Sequence, residues 1–148
     1  MKIIIVSATE FEVKPAKEKI LREINNHEII FKTTGIGLLS SAVILTQQAL
    51  EKKPGLMIQA GIGGCFDDRL LKKPVVIKEE IVGDMGAKEN NEWKNIFDLK
   101  LADKNSFPFK NGKLCNEGIT KLNLLQLPVV TAITINEITT NKNRIAML

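Results

Sequence analysis

The alternation of short apolar runs with amphipathic segments constrains the fold of this chain more than any other feature of its sequence. Runs rich in Ile and Val precede segments whose apolar residues recur at helical spacing, as Val13, Ala16 and Ile20 do. We predict strands at 2–7, 27–33, 56–60, 75–82 and 129–135, and helices at 10–24, 38–51 and 92–99. Strands that alternate with helices form sheets with helices on both faces. The sequence therefore predicts a three-layer α/β fold with a mostly parallel or mixed sheet, in a single domain over residues 1–148.

Composition and charge argue against several classes of function. The net charge is +4, but the lysines are scattered among glutamates and form no cluster interleaved with aromatic residues, which argues against a nucleic-acid partner. No apolar run reaches the roughly 18 residues that a membrane-spanning helix needs, and the first apolar run is too short for a secretion signal. Two cysteines and one histidine form no metal-ligand pattern. We therefore expect a cytoplasmic protein without membrane partner, metal or other cofactor.

Two predicted strands end in segments suited to binding a ligand. The strand at 56–60 continues into Gly61-Ile-Gly-Gly64, where glycines allow close approach of the backbone and present main-chain N–H groups. The first strand continues into Thr9-Glu-Phe-Glu12, which carries two carboxylates. Because ligands collect at the carboxyl ends of strands in such sheets, we expect the two segments to converge on one pocket. A third turn, Thr34-Gly-Ile-Gly37, is typical of a strand-to-helix turn in which glycine adopts a positive φ.

The end of the sequence has two unusual features. Asn141 suits a helix N-cap, and residues 143–148 have the pattern of one or two helical turns that end without a C-cap. The predicted strand at 129–135 is apolar on both faces, which is typical of an interior strand. These features predict a fold that lacks its C-terminal part. The alternative is a true terminal helix, with the strand edge covered by a partner.

Several motifs carry a resemblance to a known family. They are the opening Met-Lys-Ile-x-Ile-Val-x-Ala-x-Glu-x-Glu, the turn at 34–37, Gln59-Ala-Gly-Ile-Gly-Gly-Cys-Phe66, Asp84-Met-Gly-Ala-Lys-Glu89, Phe107-Pro-Phe109 with Asn111-Gly112, and Thr131-Ala-Ile-Thr-Ile-Asn-Glu137. Together they resemble the nucleoside phosphorylase and nucleosidase superfamily over the whole chain, and within it the futalosine hydrolase family. Two residues of that family, a glutamate that grips the ribose hydroxyls and an aspartate that protonates the purine, have no counterpart here.

The resemblance implies hydrolysis of the N-glycosidic bond of futalosine, which releases hypoxanthine and dehypoxanthine futalosine in menaquinone biosynthesis. It assigns water activation to Glu12 and implies a homodimer that acts on a small purine nucleoside. The residues that it assigns to substrate binding are Thr9, Ile62, Gly63, Gly64, Thr134, Ile135 and Asn136. Two alternatives stay open: a methylthioadenosine/S-adenosylhomocysteine nucleosidase, and a fragment that binds nucleosides without catalysis.

The chemistry of this bond agrees with a carboxylate beside the sugar. Such a group can deprotonate water and stabilise the positive charge of an oxocarbenium-like state. Thr9-Glu-Phe-Glu12 is also a capping box, however, in which Glu12 serves the helix instead. Phosphorolytic relatives hold phosphate with an arginine and a hydroxyl, and at these positions the chain has Gln59 and Ile62, which favours water as the nucleophile.

Three further residues have two interpretations each. Asn136 can pair with the edge of hypoxanthine or close a turn after the strand. Phe107 and Phe109 either wall the site of the substrate's aromatic tail or pack within a lid.

Overall fold

A computed structural model describes residues 1–24, 26–90 and 92–146. The chain divides into two compact units, Met1–Gly64 and Cys65–Leu148. Among the described residues, no helix is long and apolar enough to cross a membrane.

The first unit is a parallel sheet with two connecting helices. Its strands are β1 (Lys2–Ser7), β2 (Glu28–Thr33) and β3 (Leu56–Gln59), in the order β2-β1-β3. Helix α1 (Glu10–Glu23) connects β1 to β2, and α2 (Leu38–Lys52) connects β2 to β3. The connection from β1 to β2 and the connection from β2 to β3 run in opposite directions across the sheet, and right-handed connections of opposite direction lie on opposite faces. The elements predicted from the sequence are confirmed here, with ends shifted by one residue at most.

The core of this unit lies around its central strand. Ile4 and Val6 of β1 are fully buried, and Val13 of α1 is 6% exposed. The predicted turn before α2 is also confirmed: Gly35 has φ +80° and Gly37 has φ +99°. Residues with a side chain rarely adopt these backbone angles, so the turn requires glycine at both positions.

The second unit contains a mixed four-stranded sheet of order β7-β8-β4-β9 and a hairpin, β5-β6. In the sheet, β4 pairs in parallel with β9 and antiparallel with β8. The elements are β4 (Val76–Val82), β5 (Gly86–Glu89), β6 (Glu92–Asn95), β7 (Phe109–Lys110), β8 (Lys113–Cys115), α3 (Ile119–Leu122), β9 (Val129–Thr134) and α4 (Lys142–Ile145), with a 3₁₀ turn at Asp68–Leu70.

The helix predicted at 92–99 is wrong. Trp93, Ile96 and Phe97 have helical spacing, but Trp93 lies in β6 and pairs with Lys88 of β5. The strand ends at Asn95, whose side-chain oxygen accepts hydrogen bonds from the main-chain N–H groups of Phe97 and Asp98. This local capping of a turn competes with helix formation, as asparagine side chains commonly do.

The strand predicted at 129–135 is confirmed as β9, which ends at Thr134. Among the described residues, β9 has one neighbour in the sheet, β4, and therefore lies at the edge. Apolar residues on both faces indicate burial of the faces, but they do not determine whether both edges of the strand are paired. The predicted N-cap is confirmed, since Asn141 Oδ1 accepts bonds from the N–H groups of Asn143 and Arg144. Of the helix expected at 143–148, Met147 and Leu148 lie outside the described residues.

Candidate functional site

Glu12 joins two strand ends of the first unit through its two carboxylate oxygens. Oε2 accepts hydrogen bonds from the main-chain N–H of Thr9 at 2.9 Å and from the Thr9 hydroxyl at 3.2 Å. Oε1 accepts the main-chain N–H of Ile62 at 3.0 Å, across 50 residues of sequence. One oxygen thus caps α1 after β1, while the other holds the glycine turn that follows β3. The carboxylate and the turn are in contact, as the sequence predicted. Glu12 serves the capping box with one oxygen and contacts the turn with the other.

These bonds set the ionisation of Glu12. The N–H of Ile62 lowers the pKa of the carboxyl most, followed by the N–H of Thr9, with smaller contributions from the Thr9 hydroxyl and the N–H of Ala8. Burial acts in the opposite direction but is outweighed, so the pKa lies below its ordinary value of 4.5. Glu12 is therefore an anion at neutral pH, which is the form that can accept a proton from water.

The three glycines of the turn differ in their surroundings. A Cβ added at Gly61 would lie 3.1 Å from Glu12 Oε1, so this position brings the backbone close to the carboxylate. A Cβ at Gly63 or Gly64 would meet nothing within 4 Å, and neither residue has a positive φ. Ile62 between them is 75% exposed. Packing therefore explains the first glycine, whereas the other two leave an open surface beside the carboxylate.

Hydroxyl groups that the sequence analysis did not single out connect β1 to the turn before α2. The Thr34 hydroxyl donates to the main-chain oxygen of Ser7 at 3.2 Å, and the Ser41 hydroxyl donates to Thr34 Oγ1 at 3.3 Å. Ser40 donates to the main-chain oxygen of Thr34. Ser7 and Thr34 are 1% and 5% exposed, so their polar groups need these partners. The position of Ser7 and Thr34 in the sequence was the signal for them: Ser7 is the last residue of β1, and Thr34 directly follows β2.

Thr134, Ile135 and Asn136, predicted to bind the base, lie at the end of β9 in the second unit. The Thr134 hydroxyl donates to Glu80 of β4. The main-chain N–H of Asn136 donates to Asp84, and its side-chain Nδ2 donates to the same carboxylate at 3.3 Å. The Thr134 hydroxyl and the two Asn136 donors therefore serve the β4–β9 junction, and the amide oxygen of Asn136 has no hydrogen-bond donor among the described residues.

Asp84 is the residue that holds this segment. It lies two residues after the end of β4 and accepts the N–H of Glu137 at 3.0 Å in addition to both donors of Asn136. In the sequence, Asp84 opens one of the motifs that carry the family resemblance, and no role was predicted for it. An acidic residue just after a strand, beside a parallel neighbour, was the signal for it.

The predicted site residues thus form two groups, one in each unit. Thr9, Glu12 and Ile62 are in direct contact, and Gly63 and Gly64 continue the same turn. Thr134, Ile135 and Asn136 form the other group.

The two phenylalanines of the Phe107-Pro-Phe109 motif have different environments. Phe109 packs edge to face against Phe97, with ring centroids 5.1 Å apart, which supports the packing interpretation for that residue. Phe107 is 98% exposed. A cavity of about 250 Å³ lies nearby in the same unit and is lined in part by Phe97, Met85 and Lys113. None of the predicted site residues lines it.

Across the described ranges, no cluster of three or more His, Cys, Asp or Glu side chains could hold a metal ion.

The fold has counterparts among solved structures. No protein-family model matches the chain, and no curated protein matches it. The crystal structure of Campylobacter jejuni 5'-methylthioadenosine/S-adenosyl homocysteine nucleosidase (MTAN) is similar with a TM-score of 0.69 and 15% identity, over 99% of this chain and 69% of that chain. Helicobacter pylori MTAN is similar with a TM-score of 0.66 and 16% identity, over 97% and 71%. These likenesses confirm the α/β fold expected from the sequence.

Proposed function

We propose that this chain belongs to a purine nucleosidase that hydrolyses the N-glycosidic bond of futalosine, with Glu12 activating the attacking water. The observation that carries the proposal is the ionised Glu12 carboxylate, held between the end of β1 and the glycine turn after β3. The turn that it contacts is open at Gly63 and Gly64, where an added Cβ would meet nothing within 4 Å. The fold shared with two nucleosidases supports the same reaction class.

In the proposed reaction, Glu12 acts as the general base. It takes a proton from water while the water oxygen bonds to the anomeric carbon, and the electron pair of the broken C–N bond leaves with the purine, which takes up a proton from solvent. The negative carboxylate also stabilises the positive charge that develops on the sugar. In the first unit, Ile62, Gly63 and Gly64 contact the sugar beside the Glu12 carboxylate.

Three observations favour water over phosphate as the nucleophile. The N–H of Ile62 donates to Glu12, so this donor of the glycine turn is not available to an anion. An ionised carboxylate at that place would also repel phosphate. Gln59, the last residue of β3, is neutral where phosphorolytic relatives have an arginine.

Hydrolysis of methylthioadenosine or S-adenosylhomocysteine is the second candidate. Both similar structures are of proteins named for that activity, and the proposed role of Glu12 is the same for all three substrates. The candidates differ in the group attached to the sugar and in the base, so they are separated by substrate preference.

The experiment offers futalosine and methylthioadenosine in parallel to the protein in phosphate-free buffer, with chromatography of the released base. Hypoxanthine from futalosine alone supports the proposal, whereas adenine from methylthioadenosine alone supports the second candidate. Binding of futalosine by calorimetry without release of base from either compound would overturn both and identify a binding fragment.

We also propose that the protein works as a cytoplasmic homodimer. Helix α2 carries exposed apolar side chains at Leu39, Val43 and Leu50, which are 79%, 57% and 70% exposed and share one face of the helix. A second copy of the chain would cover such a stripe. Sedimentation velocity checks this, with Leu39→Glu expected to shift the distribution toward monomer. An unchanged monomeric distribution for both proteins would contradict it.

A further inference from the structure

The number of acceptor sites on the Glu12 carboxylate limits where a water can bind. Each carboxylate oxygen has about two acceptor sites. On Oε2 both are engaged, one by the N–H and one by the hydroxyl of Thr9. On Oε1 one is engaged by the N–H of Ile62. One site, on Oε1, is left.

The donor on Oε1 has a fixed direction. It is a main-chain group in the turn that follows β3. Strand β3 pairs in parallel with β1, and Val6 is the partner of Gln59 in this pairing. The N–H of Ala60 extends this pairing by donating to the main-chain oxygen of Val6 at 2.8 Å. The Ile62 donor is therefore only two residues beyond a paired segment, and the strand that it follows lies beside the strand that leads to Glu12.

We propose that the main-chain N–H of Ile62 is the positioning group for Glu12, and that it turns the remaining acceptor site of Oε1 toward the attacking water. This inference rests on the proposed function, because it concerns the same carboxylate and reaction. Ile62 acts through Glu12 and does not contact the water itself. Its side chain is not required for this role, which explains how an exposed isoleucine can occupy a site position.

The effect of losing the Ile62 donor on the pKa of Glu12 depends on the other groups around the carboxylate. The carboxylate accepts hydrogen bonds from the main-chain N–H groups of Ile62 and Thr9 and from the Thr9 hydroxyl, and these groups do not titrate near the pKa of a carboxyl. No charged side chain is among the causes of its lowered pKa. Loss of the Ile62 donor is therefore expected to raise the pKa of Glu12 without changing another titrating group.

The test replaces the amide of Ile62 by an ester, using the α-hydroxy acid that corresponds to isoleucine, in the full chain. This change removes the N–H and keeps the side chain. The pKa of the Glu12 carboxyl is measured by ¹³C NMR in protein labelled at glutamate carboxyls, with the signal assigned from the spectrum of Glu12→Gln. The same ester at Gly63 is the control for the NMR measurement, since its N–H has no hydrogen-bond acceptor among the described residues.

The proposal expects the pKa of Glu12 to rise with the ester at 62 and to stay unchanged with the ester at 63. It also expects kcat for base release to fall about 10- to 100-fold with little change in KM, because the carboxylate loses its orientation. The acidic limb of the kcat profile should move to higher pH together with the NMR value. Gly61→Ala, whose Cβ would press on Oε1, should lower kcat in the same way.

Each contrary outcome has its own meaning. An unchanged Glu12 pKa in the 62 ester overturns the inference whatever the activity. A raised pKa with a shifted acidic limb but an unchanged limiting kcat overturns the positioning role and leaves Glu12 as the base of the proposed reaction, whereas a raised pKa with an unchanged pH profile overturns both. Absence of base release from the unmodified protein overturns the proposed function and, with it, the positioning role. An NMR shift seen in that case would report only the hydrogen bond.

Discussion

At the scale of single residues, the hydrogen bonds to Glu12 make the stability of the first unit dependent on pH. The carboxyl has a lowered pKa in the folded chain chiefly because Ile62 and Thr9 donate hydrogen bonds to its ionised form. A group whose pKa is lower in the folded state than in the unfolded state stabilises the protein above its unfolded pKa. That stabilisation is lost as the pH falls through the folded pKa. Glu12 therefore contributes at neutral pH and loses its contribution below the ordinary carboxyl value of 4.5.

We predict that Glu12→Gln lowers the free energy of unfolding at pH 7 and that its difference from wild type shrinks as the pH is taken from 5 toward 3. The glutamine amide keeps an oxygen acceptor but loses the charge that strengthens these bonds. Urea unfolding at several pH values measures the difference. Other carboxyls with lowered pKa values, such as Asp67 and Glu79, contribute equally to both proteins and cancel. A difference that is constant over this range would contradict the prediction.

The role of Glu12 in capping was predictable, but its bond to Ile62 was not. The Thr-x-x-Glu spacing lets a carboxylate reach back to the N-cap within one turn, so a local pattern was sufficient. Convergence of the two strand ends followed from the parallel sheet. The choice of Ile62 N–H among the donors of the turn depends on the backbone path through Gly61, which side-chain spacing does not specify.

At the scale of elements, two glycine-rich turns follow parallel strands for different reasons. Gly37 is the N-cap of α2, with φ 99° and ψ 153°, a region that is nearly restricted to glycine. Gly63 has no positive φ, and a Cβ at either position would meet nothing within 4 Å. The two residues therefore differ in backbone strain and not in available space.

We predict that Gly37→Ala lowers the free energy of unfolding by about 1–3 kcal/mol because alanine is strained at this φ and ψ. Gly63→Ala is the matched variant and should change it by less than about 0.5 kcal/mol. Thermal or urea unfolding of the two variants and the wild type measures this. Equal losses would show that backbone conformation is not the reason for glycine at position 37.

The junction of β4 and β9 depends on Asp84. Its carboxylate accepts the N–H groups of Asn136 and Glu137 and the Asn136 side chain. We predict that Asp84→Ala destabilises the protein by about 1–2 kcal/mol, as loss of bonds to a charged group does. Asn136→Ala removes only the side-chain donor at 3.3 Å and should cost less. Urea unfolding compares them, and an equal or larger loss for Asn136→Ala would contradict this role of Asp84.

At the scale of the whole molecule, the elements that were predicted correctly share a simple cause. Each strand and helix of the first unit has an apolar pattern that is typical of one type of element only. The alternation of strands and helices along the chain predicts that the strands are parallel. In the second unit, the hairpin at β5–β6 was missed because Trp93, Ile96 and Phe97 mimic a helical stripe. Side-chain capping by Asn95 decides that segment. The edge position of β9 depends on which strands pair with it, and pairing is not encoded in the strand's own sequence.

We propose that residues 1–148 unfold as a single domain, although contacts divide them into two compact units. The chain has one tryptophan, Trp93, and it lies in the second unit with Arg144 stacked 4.6 Å from its ring. Its fluorescence reports that unit, whereas far-ultraviolet circular dichroism reports helices of both. Coincident urea curves are expected for one cooperative domain. Curves with separate midpoints would show that the units unfold independently.

The central claim is that Glu12 activates water for cleavage of an N-glycosidic bond. The most direct measurement is single-turnover release of hypoxanthine from futalosine in phosphate-free buffer by wild type, Glu12→Gln and Glu10→Gln. Glu10 is an exposed acid two residues away in the same first turn, so its variant removes the same charge from the helix. We predict a loss of about 10²- to 10⁴-fold for Glu12→Gln and nearly unchanged release for Glu10→Gln. Equal rates for wild type and Glu12→Gln would contradict the claim.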